Sequence, residues 1–224
     1  MNPNLQILAF LFLTLVLFFL SRKSTSLLFQ FLINHFGSKR LSYAILAIIY
    51  LPGTILHELS HFLMANILFL KVHDISIFPE VDENQLKLGK VIFEKKDFVR
   101  GILVGVAPIF VGLSFLLWLS SLGVGSSENI FYKALLFYLI FVISTSMFSS
   151  KQDLVDLVYL IPAILVFVFV IYLFGIDLGF FYHIFQSLEG GLKFLYALNN
   201  YLGLSILIHL SVLLIVKVYL KLFK

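Results

Sequence analysis

The chain has 224 residues, of which 61% are hydrophobic and only 12% charged, and its formal net charge is +4. Soluble globular domains are about half apolar and about a quarter charged, so this composition excludes an ordinary soluble domain and indicates a polytopic membrane protein. Cysteine is absent, which excludes disulfides and cysteine-based metal or nucleophile chemistry. The basic residues are scattered and lack an aromatic stacking platform, so no nucleic-acid partner is expected.

Apolar runs of about the length needed to cross a bilayer recur along the chain. They predict about six transmembrane helices, at about 5–20, 41–70, 99–120, 130–148, 155–175 and 202–220. Residues 25–36 are apolar but short, which favours a half-membrane or interfacial helix there. The first run lacks a basic region before it and a good cleavage site after it, so it is expected to remain as an anchor. We therefore predict an all-α polytopic membrane protein with one membrane-embedded domain, 1–224.

Basic residues give the predicted orientation, because loops on the cytoplasmic side are enriched in lysine and arginine. Six spans would place one set on one side, namely Lys71, Lys87, Lys90, Lys95, Lys96, Arg100, Lys151, Lys217, Lys221 and Lys224. The opposite side would carry Arg22, Lys23, Lys39, Arg40, Lys133 and Lys193. The first set is larger, so it is placed in the cytoplasm. This predicts a protein of the cell membrane whose 41–70 helix runs from outside to inside.

The segment LPGTILHELSHFLMANILFL, residues 51–70, places two histidines and a glutamate within one predicted span. Residues four apart share a helix face, so His57 and His61 can point at one metal ion, with Glu58 beside it. This His-Glu-x-x-His pattern is that of zinc hydrolases, in which the glutamate takes a proton from a bound water. A charged group near the bilayer centre costs about 3 kcal/mol or more unless it is compensated. We therefore predict a Zn²⁺ site rather than a polar patch.

A zinc hydrolase needs a third protein ligand, which must come from another segment. The candidates are Asp153, Asp156, His183, Glu189 and His209. Asp153 and Asp156 are three residues apart in a polar stretch between two apolar runs, so one can bind the metal while the other orients it. Asp153 is the favoured ligand, and Asp156 is favoured as a helix cap. His209 lies within a predicted span and is expected to be a neutral histidine bonded to a neighbouring helix.

Residues 71–96 separate the motif helix from the next span and predict a small β-hairpin. The runs VHDISIF and LKLGKVIFE are rich in β-branched and aromatic residues and flank an acidic turn at 79–84. The hairpin is expected to emerge directly beneath the metal site. Its edge can pair with an extended substrate strand, or it can be a plain link between two helices, and composition alone leaves both open.

The order of these features resembles the site-2 protease family of intramembrane zinc metalloproteases. The resemblance covers 41–170, from HELSH through the hairpin and the span GILVGVAPIFVG to the aspartate of SSKQDL. It implies a metalloprotease-like core in which His57, His61 and Asp153 hold Zn²⁺ and Glu58 is the general base. It also implies a membrane-protein substrate cut in or near a transmembrane segment. TSMFSSKQDLVD departs from the family's second motif, which has Asn-x-x-Pro and then Leu-Asp-Gly, so the chain resembles a divergent member.

Other classes share parts of this pattern. A membrane metalloprotease of the CAAX-processing type also carries His-Glu-x-x-His, but it takes its third ligand from a glutamate of a later helix, and beyond the predicted hairpin only Glu128 and Glu189 are available. A non-catalytic membrane protein with the same fold, either a scaffold or a metal transporter, is the other alternative. A scaffold would not need Glu58, and a transporter would spread ionisable residues through several spans.

Overall fold

The computed structural model describes residues 3–76, 80–81, 86–87, 89–94, 96–122, 129–148, 170, 173 and 189–222. Within these residues the protein has five helices and four short strands. In chain order they are α1 Pro3–Phe36, α2 Lys39–Ile67, β1 Val72–Ser76, β2 Glu80–Val81, β3 Leu86–Lys87, β4 Lys90–Phe93, α3 Phe98–Ser121, α4 Ile130–Ser146 and α5 Glu189–Leu222. All of the helices except α4, which is shorter, are long and apolar enough to cross a membrane. A mostly helical fold with four candidate membrane spans is confirmed, whereas six spans are not, and the predicted 155–175 span lies outside the described residues except at positions 170 and 173.

The first helix differs from the prediction, because α1 runs unbroken through the polar sequence SRKSTS and includes 25–36. The hydroxyls of Ser21 and Thr25 donate to the carbonyls of Phe18 and Ser21, at 2.9 and 3.0 Å, so these polar side chains are satisfied without ending the helix. The chain turns only at Gly37, whose φ of 67° suits glycine. A separate half-membrane segment at 25–36 is therefore wrong.

Helices α1 and α2 form an antiparallel pair joined at Gly37. Ser38 caps α2 by accepting a hydrogen bond from the Leu41 amide. Further along the pair, the rings of Phe29 and Tyr43 stack at 4.3 Å between centroids. Helix α4 packs on α2 at Gly53, where a Cβ would lie 2.5 Å from the Val142 carbonyl oxygen. The absence of a side chain at Gly53 therefore lets the two backbones approach closely.

Helix α5 packs beside α1, and three polar contacts join the two helices in the same order along both. Asn199 donates to the Gln6 side chain at 2.8 Å, His209 contacts Ser24, and His35 contacts the Tyr219 hydroxyl at 3.1 Å. The last of these contacts places the end of α5 beside the α1–α2 turn. The lysines at the end of α5 therefore lie on the same side of the protein as the basic residues of the α1–α2 turn. The prediction placed these two groups on opposite sides of the membrane, and for them it is wrong.

The predicted β-hairpin is confirmed. Strands β1 and β4 pair antiparallel, with a register shift between Val72 and Asp74. The inner strands β2 and β3 also pair antiparallel. An exposed ion pair joins Lys90 to Asp74 at 3.9 Å. Leu70 and Val72 pack with Ala65 and Val104, so the base of the hairpin is fixed against α2 and α3. Of the acidic turn, only Glu80 and Val81 lie among the described residues.

Candidate metal centre

The His-Glu-x-x-His motif lies in the second half of α2, as predicted, and all three of its side chains are buried. His57 is 3% exposed, Glu58 7% and His61 7%. The helix continues through Pro52 without a break and ends only after Ile67, so the motif occupies regular helix. Burial of two imidazoles and a carboxyl within one turn is costly unless each group finds a partner.

The two histidines face one another. Their Nε2 atoms are 3.1 Å apart, and the rings meet edge to face with centroids at 4.7 Å. His61 Nδ1 lies 2.8 Å from the carbonyl oxygen of Val104 on α3. Because a carbonyl only accepts, Nδ1 carries the proton, and Nε2 of a neutral His61 presents its lone pair toward His57.

This geometry fits a metal ion. Two nitrogens bound to one tetrahedral Zn²⁺ at about 2.0–2.1 Å are about 3.3 Å apart, and the observed separation of 3.1 Å differs from that by a few tenths of an ångström. Metal-binding histidines usually donate their other ring N–H to a carboxylate or a backbone carbonyl, as His61 does to Val104. The histidine pair therefore has the spacing, and His61 the tautomer, that a zinc site requires.

Pro108 explains why the Val104 carbonyl is available to His61. In regular helix that carbonyl would accept the amide of residue 108, but proline has no amide hydrogen. Pro108 lies inside α3 and is buried, so Val104 lacks its usual intrahelical partner. The position of Pro108, four residues after Val104, therefore gives it a specific role, which is to supply an acceptor that orients His61.

We expect Pro108→Ala to weaken zinc binding by about tenfold or more, in line with the loss seen when outer-shell partners of metal ligands are changed. The substitution introduces a backbone amide hydrogen at position 108, which would compete with His61 for the Val104 carbonyl. The zinc dissociation constant would be measured by competition with a chelating indicator. Pro52→Ala is the matched control, because it makes the same change in α2 and leaves the Val104 carbonyl unaltered. Equal affinities for the two variants would contradict the role given to Pro108.

The Glu58 side chain lies against the β-hairpin. A Cβ built on Gly89, just before β4, would overlap Cγ of Glu58 and lie 2.7 Å from both Cδ and Oε1. The hairpin backbone therefore lies directly against the Glu58 side chain, and only glycine leaves room for it in this arrangement. The expected position of the hairpin beside the motif is observed, and sequence reasoning had missed the part played by Gly89.

The other predicted ligands have different outcomes. Asp153, Asp156 and His183 lie outside the described residues, and Glu189 is the first residue of α5. His209 is fully buried, with Nδ1 2.9 Å from Ser24 Oγ and Nε2 3.1 Å from Ser144 Oγ. It therefore joins α1, α4 and α5 as the hydrogen-bonded histidine that the sequence predicted. Among the described residues no group of three or more His, Cys, Asp or Glu side chains converges on a candidate metal position.

Comparison with known proteins gives no relative. A scan against protein-family models, a search of curated proteins and a search of solved structures each found no match to this chain.

Proposed function

We propose that the protein is an intramembrane zinc metalloprotease that hydrolyses a peptide bond in or near a transmembrane segment of its substrate. The observation that carries the proposal is the buried pair of Nε2 atoms, 3.1 Å apart, with His61 held by a backbone carbonyl. The resemblance of 41–170 to the site-2 protease family supports the same activity. His57 and His61 are the ligands within the described residues, and Asp153 is the proposed third.

The chemistry divides between the metal and Glu58. A bound Zn²⁺ supplies Lewis acidity, which polarises a peptide carbonyl and makes water a nucleophile at neutral pH. Glu58 accepts a proton from the attacking water and returns it to the leaving nitrogen as the C–N bond breaks. Its carboxyl is buried against Gly89, so the hairpin sets its position. Substrate amides are hidden in helical hydrogen bonds, so the substrate must unwind locally before attack.

We place the hairpin side of the site toward the cytoplasm. The residues that follow α2 carry Lys71, Lys87, Lys90, Lys95, Lys96 and Arg100 within a short stretch of chain. Basic residues near the ends of membrane helices favour the cytoplasmic side. On the opposite side, Arg22 and Lys23 no longer count as loop residues, because they lie within α1. The lysines at the end of α5 are added to that side, because the end of α5 lies beside the α1–α2 turn.

Bound zinc in the purified chain tests the proposal. We expect close to one Zn²⁺ per chain in the wild type by elemental analysis after purification in detergent. His57→Ala and His61→Ala should each lose the metal, since each removes one of the ligands. Asp153→Ala and Asp156→Ala are a matched pair, and loss in only the first would assign Asp153 as the third ligand.

Two outcomes would count against this reading. A wild-type chain that holds no metal even after zinc is supplied would leave the histidine pair as a structural hydrogen bond between two imidazoles. Retention of zinc in His57→Ala would move the metal away from the motif. The unfolding temperature of each variant shows whether a loss of zinc reflects a lost ligand or a lost fold.

A further inference from the structure

A second polar feature lies between α1, α2 and α4, on the side of the histidine pair that is nearer the start of α2. It is a cavity of about 370 Å³, within the size range of small-ligand sites. Eight of the twelve residues that line it bear a hydroxyl group, namely Ser21, Thr25, Ser26, Tyr43, Tyr50, Thr54, Thr145 and Ser146. Among the described residues that line it, Arg22 alone is charged. A cavity that combines a guanidinium with many hydroxyls suits an anionic ligand.

Arg22 lies far from both ends of α1. It is 14 residues before the last residue of that helix, which places it about 20 Å from the α1–α2 turn at the helical rise per residue. Its guanidinium lies over the Phe18 ring, at 5.1 Å from the centroid. No carboxylate of the described residues forms an ion pair with it. A cation at such a depth in a membrane protein usually marks a functional site and faces a polar interior.

The cavity follows the helix face that bears the motif. Tyr43, Tyr50 and Thr54 recur along α2 with the spacing of one face, and His57 follows Thr54 by three residues. Tyr50 and Thr54 are 2% and 4% exposed and form the floor, whereas Arg22 and Ser26 lie nearer the mouth. The floor therefore lies about one helical turn from the first metal-binding histidine.

We propose that this cavity binds a carboxylate of a peptide, with Arg22 as its ion-pair partner and the hydroxyls of Tyr43 and Ser26 as further donors. An arginine fork pairs with a carboxylate through two parallel hydrogen bonds, which gives direction as well as affinity. The carboxylate can be a glutamate or aspartate side chain within an apolar segment, or the carboxyl terminus of that segment. That such a peptide is a substrate rests on the proposed function, whereas carboxylate binding itself does not.

Three short peptides separate these sources. N-acetyl-Leu-Leu-Leu carries a terminal carboxylate, N-acetyl-Leu-Glu-Leu-amide carries one on a side chain, and N-acetyl-Leu-Leu-Leu-amide carries none. Binding is measured by calorimetry on the full chain in detergent, in the Glu58→Gln background, where peptide hydrolysis is expected to be strongly slowed. We expect at least one acidic peptide to bind about tenfold or more tightly than the uncharged amide. The one that binds better identifies the source of the carboxylate.

Variants of two adjacent cations test the assignment. Arg22→Gln should remove the preference for the acidic peptide, whereas Lys23→Gln, which changes a charge that does not line the cavity, should leave it intact. Tyr43→Phe keeps the ring stacked on Phe29 and removes one donor, so it should weaken binding about threefold or more. It provides a test that needs no change of charge if Arg22→Gln does not fold. Equal binding of acidic and uncharged peptides, or an unchanged preference in Arg22→Gln, would overturn the proposal, whatever the result of the zinc and protease experiments.

Discussion

Glutamine in place of Glu58 is expected to slow peptide-bond cleavage by about 10²- to 10⁴-fold, the range that a positioned acid–base group contributes. Glutamine is close to glutamate in size, so it fits the same buried position against Gly89. Its amide cannot take a proton from water. The measurement is a quantitative comparison of protein termini in membranes from cells that produce either the wild type or Glu58→Gln. Termini that lie in apolar segments and appear only with the wild type report cleavage.

The zinc content of the same variant separates catalysis from metal binding. Glu58→Gln should retain zinc and its unfolding temperature, because the proposed ligands are His57, His61 and Asp153. A variant that lost both zinc and cleavage would show only that the site had been disrupted. Cleavage at the wild-type rate, with zinc retained, would mean that Glu58 is not the base, and the protease proposal would fail.

The motif helix and the hairpin could be predicted because their signals are local. The apolar run from 41 to 70 needs no partner to identify it as a span, and α2 occupies Lys39–Ile67. The β-branched runs on either side of the acidic turn gave the strands that pair as β1 and β4. In both cases the periodicity and the length of the run agree with the final structure, so no tertiary contact had to override them.

The long first helix could not be predicted in the same way. A polar sequence in the middle of an apolar run indicates a loop only if its side chains have to leave the membrane. Ser21 and Thr25 instead bond back to their own helix, and Arg22 faces a hydroxyl-lined cavity contributed by α2 and α4. That compensation comes from tertiary packing, which a reading of one segment at a time does not include.

The candidate site was only partly visible in the sequence. His57, Glu58 and His61 followed from helical spacing, which is local. The link from Pro108 through the Val104 carbonyl to His61 joins residues on two helices, although the rule that proline frees the carbonyl four residues earlier could have suggested it. The contact between Gly89 and Glu58 depends on how the hairpin folds back onto α2, for which the spacing of residues holds no signal.

Alanine at Gly89 is expected to slow cleavage by about 100-fold while zinc binding is retained. The new methyl group would lie within 2.7 Å of three atoms of the Glu58 side chain, so either the carboxyl or the hairpin has to move. A displacement of about 1 Å in a catalytic group can cost a factor of about 10² in rate. The rate would be followed as the appearance of the substrate termini identified with the wild type. Gly203→Ala is the matched control, since a Cβ at Gly203 on α5 would meet no atom within 4 Å.

A double variant decides whether Gly89 acts through Glu58. If the methyl group slows the reaction only by displacing the general base, adding Gly89→Ala to Glu58→Gln should cause little further loss, because groups that act as a unit are not additive. A full further loss of about 100-fold in the double variant would show that Gly89 acts on another step, such as pairing of the hairpin with the substrate. Zinc retained in both single variants would confine the effect to the base. Gly89 of the hairpin would then be a residue that positions Glu58, the proposed general base on α2.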